Sequence, residues 1–295
     1  MRPLLNVILT TGMLVVIPVG LRLVALPGTP PGKPPGTLSG RLSGRLPGTP
    51  RGNLLRLWWL GAVPGAVSLW MERGTWAAVV ALPYAAATVC LVLWGLLRLG
   101  SRRSLAPGEI AVLTALATPA VAATALVAER LGHSLWGFSP GVLALTVAHF
   151  HFAGFAAALV AGLVCRAAGD GPQARAAALS VPAGTLLVLG GYFVGDWFEL
   201  VGAVVLTAGM WLVGGLTLAE ARRSGPDRLT RVLLGVSALV LTVSMVLALS
   251  WALGEATGLP HLPVSWMVAT HGLLNAFGFA LCALCAWRRL RPEPL

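Results

Sequence analysis

Three of the chain's five histidines fall deep within long apolar stretches, where an ionisable side chain needs a physical reason to be. His149 and His151 stand in the string His149-Phe150-His151-Phe152, and His271 precedes Asn275 by one helical turn. A charge at mid-membrane costs about 2.5–3.5 kcal/mol on insertion scales. Imidazole titrates near neutrality, so such residues suit proton handling or ligand binding, with Glu199 or Asp196 as the acid partner. Residues two apart on an α-helix point about 200° apart, so His149 and His151 address two different neighbours rather than one ion. Gly154 leaves room for a local distortion that would change this. His271 and Asn275, spaced i and i+4, share a face that Gly278 and Cys282 continue.

Three readings of these groups stay open. The plainest is interhelical hydrogen bonding, worth about 0.6 kcal/mol per pair in membranes. The second is a ligand or proton site formed by His149, His151, His271, Asn275, Glu199 and Trp197. If the protein is an enzyme, Glu199 or Asp196 is its acid and His151 its base, working on a lipophilic substrate such as an isoprenoid in cyclase-like chemistry. Metal or haem ligation is the third, but no H-x-x-x-H or H-E-x-x-H spacing occurs, and neither metal nor cofactor is expected. Plainer roles stand beside these. Glu199 favours a helix N-terminus, Glu129–Arg130 reads as a weak rim ion pair, and Asp196 and Glu255 read as solvated acids.

The elements that must position these residues follow from hydrophobicity. Of 295 residues, 57% are apolar and 11% charged, well below the charged fraction of soluble domains. Nine apolar runs can be drawn, at Leu4–Leu26, Leu54–Trp70, Thr75–Leu97, Glu109–Leu131, Pro140–Cys165, Arg175–Val194, Glu199–Leu218, Leu229–Leu253 and Val264–Trp287. Each can cross a hydrocarbon layer about 30 Å thick as an α-helix, the second being short. The expected fold is an all-α polytopic transmembrane bundle of about nine spans, or eight if the first is lost as a signal peptide. A retained first helix is favoured, because no A-x-A site ends it.

Arginine and lysine alternate strictly between connections. They crowd the first, third, fifth and seventh and the tail, while the others hold only Arg73 and Arg130. That places the N-terminus outside and the C-terminus in the cytoplasm of a multi-pass cell-membrane protein. The expected organisation is a first helix over 1–26, a flexible Pro/Gly/Arg-rich cytoplasmic linker over 27–53, an eight-helix bundle over 54–288 and a tail over 289–295. In this frame His149, His151 and His271 lie below the outer leaflet. Glu129, Asp196, Glu199, Glu255, His133 and His261 lie at the outer rim, and the inner half holds almost nothing comparable. A polar pocket open to the extracytoplasmic side follows.

The net charge of +11 is spread over short loops, which suits anionic headgroups and argues against nucleic acid. The expected partners are the lipid bilayer and a small lipophilic or protonatable ligand. Four cysteines lie inside apolar runs, so Cys282-x-x-Cys285 reads as buried packing rather than a redox pair. Tryptophans near run ends, including Trp58, Trp59, Trp70, Trp76, Trp136, Trp197, Trp266 and Trp287, read as an interfacial belt. The pairs Gly190–Gly191 and Gly214–Gly215 read as sites of close helix approach. No G-x-S-x-G, Walker, dinucleotide or EF-hand motif stands in a usable context.

The segment His149-Phe150-His151-Phe152-Ala153-Gly154-Phe155, together with Thr270-His271-Gly272-Leu273-Leu274-Asn275-Ala276-Phe277-Gly278-Phe279, resembles the YndJ-like family of bacterial integral membrane proteins. Gly12–Leu26 and Gly137-Phe138-Ser139-Pro140 are similar as well. The resemblance implies a membrane bundle and carries a transporter label, without a substrate or mechanism. It directs attention to His149, His151, His271 and Asn275. Small-molecule permeation or binding, intramembrane catalysis and a purely structural role are the functions to separate.

Overall fold

The computed structural model describes residues 2–24, 50–169 and 171–290, the side chains of 50–52 excepted. Most of the 27–53 linker, with Lys33, Arg41 and Arg45, and the tail beyond residue 290 lie outside them. The described residues form nine helices and no strand. They are α1 (Arg2–Leu21), α3 (Thr75–Arg102), α4 (Pro107–Leu131), α5 (Pro140–Ala168), α6 (Pro172–Val194), α7 (Asp196–Arg223), α8 (Arg228–Thr257) and α9 (Val264–Leu290), with α2 (Pro50–Ser68) between the first two. All but α2 are long and apolar enough to cross a membrane. α2 is the short second run, and Arg51 and Arg56 dilute its apolar character.

Several helices outlast their apolar runs, α3 by five residues to Arg102 and α7 by five to Arg223. Arginines in a last turn offset the helix dipole and reach toward polar surroundings, so hydropathy ends before the helix does.

α5 is the central helix. Of its apolar window 83% is buried, against 33–61% in the other seven spans, and it packs on α1, α4, α6, α7 and α9. The span carrying His149 and His151 is therefore the best enclosed of the eight, although His149 itself is exposed and only His151 is buried.

Glycine sets the tightest seam, between α6 and α7. Gly184 faces Leu206, Gly191 faces Glu199, Gly202 faces Val188 and Gly209 faces Ser180, each so close that an added Cβ would lie 2.5–2.7 Å from a partner atom. The glycines repeat every seven residues on both helices, the spacing that keeps one stripe facing a partner. Gly214 makes only ordinary contacts and Gly215 has nothing within 4 Å, so the second expected pair is not a close approach.

Three helices contain π-helical segments: Gly12–Val16 in α1, Phe150–Ala157 in α5, and Val268–Gly272 with Leu274–Leu281 in α9. In α1 the cause is legible. Ile17 N–H bonds Gly12 O in the i→i−5 pattern, and the next donor in that pattern would be Pro18, which has no N–H. The Met13 carbonyl left over accepts the Trp58 indole N–H at 2.9 Å. Trp58 and Trp287 are thus core residues, 1% and 0% exposed, rather than members of the interfacial belt. Trp70, Trp76, Trp136, Trp197 and Trp266 are exposed.

Buried ion pairs close both ends of the bundle. At one end Arg130 and Glu129, 1% and 2% exposed, pair with each other, and Arg73 reaches Glu129 at 2.8 Å. The expected weak rim pair is a core element, because Arg130 also caps the end of α2. At the other end Arg98, fully buried, forks onto Glu109 with two bonds of 2.9 Å, and Arg102 joins at 2.6 Å. Glu220, 5% exposed, pairs with Arg223 at 2.7 Å. The expectation that this half holds no comparable groups is therefore corrected: its acids are hidden by arginines that read in the sequence only as topology signals.

The start of α8 is tied to the end of α9. Asp227 caps α8 through Leu229 N and Thr230 N, accepts the Thr230 hydroxyl at 2.6 Å, and meets Arg289 at 3.2 Å. The Thr230 hydroxyl and N–H, with Arg289 behind them, hold its carboxyl down to about 2. A depressed carboxyl contributes stability that is complete above its ordinary value, about 3.9, and lost as pH falls through the folded value. Asp227→Asn should therefore flatten the wild-type loss of thermal stability between about pH 4 and pH 2, read as Tm across that window.

Candidate functional site

Ser139 and Pro140 start α5 with a cap and an N1 proline, so His149 arrives about 14 Å along the helix. Each histidine of the candidate set donates Nδ1–H to a carbonyl, since a carbonyl oxygen only accepts. His149 Nδ1 lies 2.9 Å from Leu145 O, His151 Nδ1 2.6 Å from Val147 O, and His271 Nδ1 2.8 Å from Ser244 O. All three neutral rings therefore hold their proton on Nδ1 and present Nε2 as an acceptor.

What differs is what Nε2 meets. His151 is 0% exposed and takes the Tyr84 hydroxyl at 2.7 Å, its ring seated against Gly12. His149 Nε2 has no hydrogen-bond partner among the described residues, and its ring lines a cavity. His271 Nε2 has only the Asn275 amide at 3.2 Å, equally far from Nδ1 and already donating to His271 O at 2.9 Å. Asn275 is fixed in turn by the Ser244 hydroxyl at 3.1 Å.

The cavity measures about 190 Å³ and lies among α1, α5, α6, α7, α8 and α9. His149, His271, Asn275, Glu199, Tyr192 and Trp251 supply its polar atoms, and aliphatic and aromatic side chains supply the rest. It begins where α7 and α9 start, at Glu199 and Val264, and reaches Phe279 about 22 Å further along α9. Gly191 lets the Glu199 backbone close against α6, which brings Glu199 and Tyr192 onto the same wall.

The structure thus places His149, His271, Asn275 and Glu199 on one cavity, with Glu199 where it begins. His151 points away to Tyr84, as the 200° argument requires, and the π segment around Gly154 does not turn it back. Asp196 is exposed, Trp197 is 65% exposed, and neither lines the cavity. Of the grouping Glu199, Asp196 and His151 considered for acid–base catalysis, only Glu199 reaches it. No group of three His, Cys, Asp or Glu residues able to hold a metal occurs among the described residues. Cys282 and Cys285 are free thiols, and Cys282 donates to Phe277 O.

The residues missed in the sequence are the aromatics with polar tips. The chain has two tyrosines, and both serve this region, Tyr84 on His151 and Tyr192 on the cavity wall. Their rarity was the available signal. Tyr84→Phe would leave His151 Nε2 buried without a donor, at a cost of about 1–3 kcal/mol. The expected result is a lower Tm with an unaltered cavity; an unchanged Tm would mean that the Tyr84–His151 bond adds nothing.

The description "YndJ-like protein" belongs to the family whose pattern matches residues 7–279. The chain belongs to the YndJ-like family. The match spans α1 to the deep end of the cavity on α9, so every cavity-lining residue but Leu5 falls inside the family region. No curated protein and no solved structure matches the chain. Membership is thus joined to an all-helical, multi-pass membrane architecture, and the chemistry must come from the cavity itself.

Proposed function

We propose that this YndJ-like protein binds a small lipophilic or protonatable molecule in the cavity between α5 and α9, and passes it across the cell membrane. One observation carries the reading. Imidazoles from two helices far apart in sequence present Nε2 acceptors to the same apolar hollow, and second partners fix the tautomer of each. Polar atoms placed at such depth are costly in lipid, which favours a use for them.

In this reading all nine helices cross, with the N-terminus outside, the linker and tail in the cytoplasm, and the cavity in the outer half. The arginine alternation supports it. α2 supports it too, lying along α3 through Gly61 and Gly65 and exposing Leu57, Leu60, Val63 and Val67 as a lipid-facing stripe. A phosphatase reporter fused after His133 should be active and one fused after Gly225 inactive; the reverse pattern overturns the orientation.

Ala248→Phe, which fills the cavity from α8, tests the binding itself. Small molecules that raise the Tm of the purified wild type should fail to do so for the variant. Equal shifts in both proteins for every compound would end the reading. Uptake of an active compound into proteoliposomes, lost in His149→Ala, separates a permease from a simple binder.

A further inference from the structure

The cavity's charged wall is one-sided, with the Tyr192 hydroxyl, the Asn275 amide and the unpartnered Trp251 indole N–H as its neutral donors. Its acceptors are His149 Nε2, the loosely held His271 Nε2 and the Glu199 carboxylate, which makes no hydrogen bond or ion pair among the described residues. None of the lining residues is arginine or lysine, although the chain has 21 of them. Every other buried or half-buried acid of the spans has an arginine: Glu109 has Arg98 and Arg102, Glu129 has Arg130 and Arg73, Glu220 has Arg223. Glu199 alone among them, with respect to the described residues, faces a hollow instead of a cation.

A half-buried acid without a counter-charge is costly, and an incoming positive group would supply what the fold withholds. Phe152, Trp251 and Tyr192 also line the cavity, and aromatic rings attract cations to their faces. At about 10–15 Å³ of such space per water, 190 Å³ holds on the order of a dozen heavy atoms.

We propose that the molecule taken up by this cavity is an organic amine bound as its ammonium ion, with an apolar body of roughly a dozen non-hydrogen atoms. The ammonium group donates to Glu199 where the cavity begins, while the body lies further in, toward His149, His271 and the aromatic side chains of the lining. The inference rests on the binding reading above and narrows it to one ligand class.

The test uses the full-length protein in lipid nanodiscs and three soluble probes that share a phenylethyl body: 2-phenylethylammonium, 2-phenylethanol and 3-phenylpropanoate. Trp251 lies on the wall, so intrinsic tryptophan fluorescence reports occupancy, with Tm as a second readout. The ammonium should bind saturably and at least tenfold more tightly than the alcohol, with no saturable binding of the carboxylate. Glu199→Gln, isosteric beside Gly191, should weaken the ammonium at least tenfold and leave the alcohol unaffected. Alcohol or carboxylate binding as strong as the ammonium's, and lost in Ala248→Phe, overturns the amine assignment while the cavity reading stands. Saturable binding by none of the three overturns both. Should Glu199→Gln fail to fold, the three-probe ranking on the wild type still decides.

Discussion

Arg130→Met should unfold this protein at a far lower temperature than the wild type, or prevent recovery of a monodisperse species. The guanidinium is 1% exposed and serves two structures at once. It pairs with Glu129 through both Nε and Nη2, and its Nη1 donates to the carbonyls of Ser68, Leu69 and Met71 at 3.0–3.3 Å. Those carbonyls belong to the last residue of α2 and to the turn that follows it, where helix geometry leaves acceptors short of donors. Asn6 of α1 satisfies Leu69 O as well, at 2.8 Å, so three helices converge on this corner. Removing one partner of a buried pair costs about 3–5 kcal/mol, because the remaining charge is stranded. Here the stranded group is Glu129, left with the half-exposed Arg73. Glu129→Gln combined with Arg130→Met removes that charge, so the double variant should be less destabilised than the two single losses added together. Thermal and denaturant unfolding in detergent measure all three, and a Tm for Arg130→Met within a degree or two of wild type would refute the capping role.

This corner also shows what a sequence can and cannot disclose. Hydropathy and arginine spacing were enough to draw nine helices, because lipid forces backbone groups to pair within a segment and makes every long apolar run helical. They were not enough to tell a surface arginine from a buried one. Arg130 and Arg98 read as loop charges near run ends, and only the packing of α2 and α4 around them reveals that each replaces missing backbone or acid partners.

The histidines divide in the same manner. Rotation per residue foretold that His149 and His151 would part, and they do. Which of the two would face the hollow depended on where α4 and α6 flank α5, a tertiary fact. The π segments of α5 and α9 left no local signature, since Phe150–Ala157 and Leu274–Leu281 contain no proline. In α1 the cue existed in Pro18 but needed Trp58 to give it meaning. Glu199 was legible as an acid at a helix start, yet its place in the cavity depends on Gly191 across the seam.

That seam carries the second large effect. Gly184→Val should break the α6–α7 contact and, with it, the ligand binding proposed above. A Cβ at Gly184 would sit 2.6 Å from both Cα and N of Leu206, and backbone cannot swing aside as a flexible side-chain tip can. Lipid offers no hydrophobic drive to hold helices together, so close packing of small residues is a main source of the association energy. Overpacking of this kind costs about 1–3 kcal/mol in soluble cores, and the upper end is expected where backbone meets backbone. Relief by spreading the helices would carry Leu206 and Glu199 on α7 away from Val188 and Tyr192 on α6, residues that form adjoining parts of the cavity wall. Gly215→Ala is the matched control, for nothing lies within 4 Å of the added methyl. Helix propensity then predicts a neutral change or a gain of up to about 1 kcal/mol. Tm and probe binding measured on both variants distinguish position from residue type: if Gly184→Val retains wild-type binding, the α6–α7 seam does not hold the cavity in shape, and Glu199 must be placed by something other than its glycine neighbours.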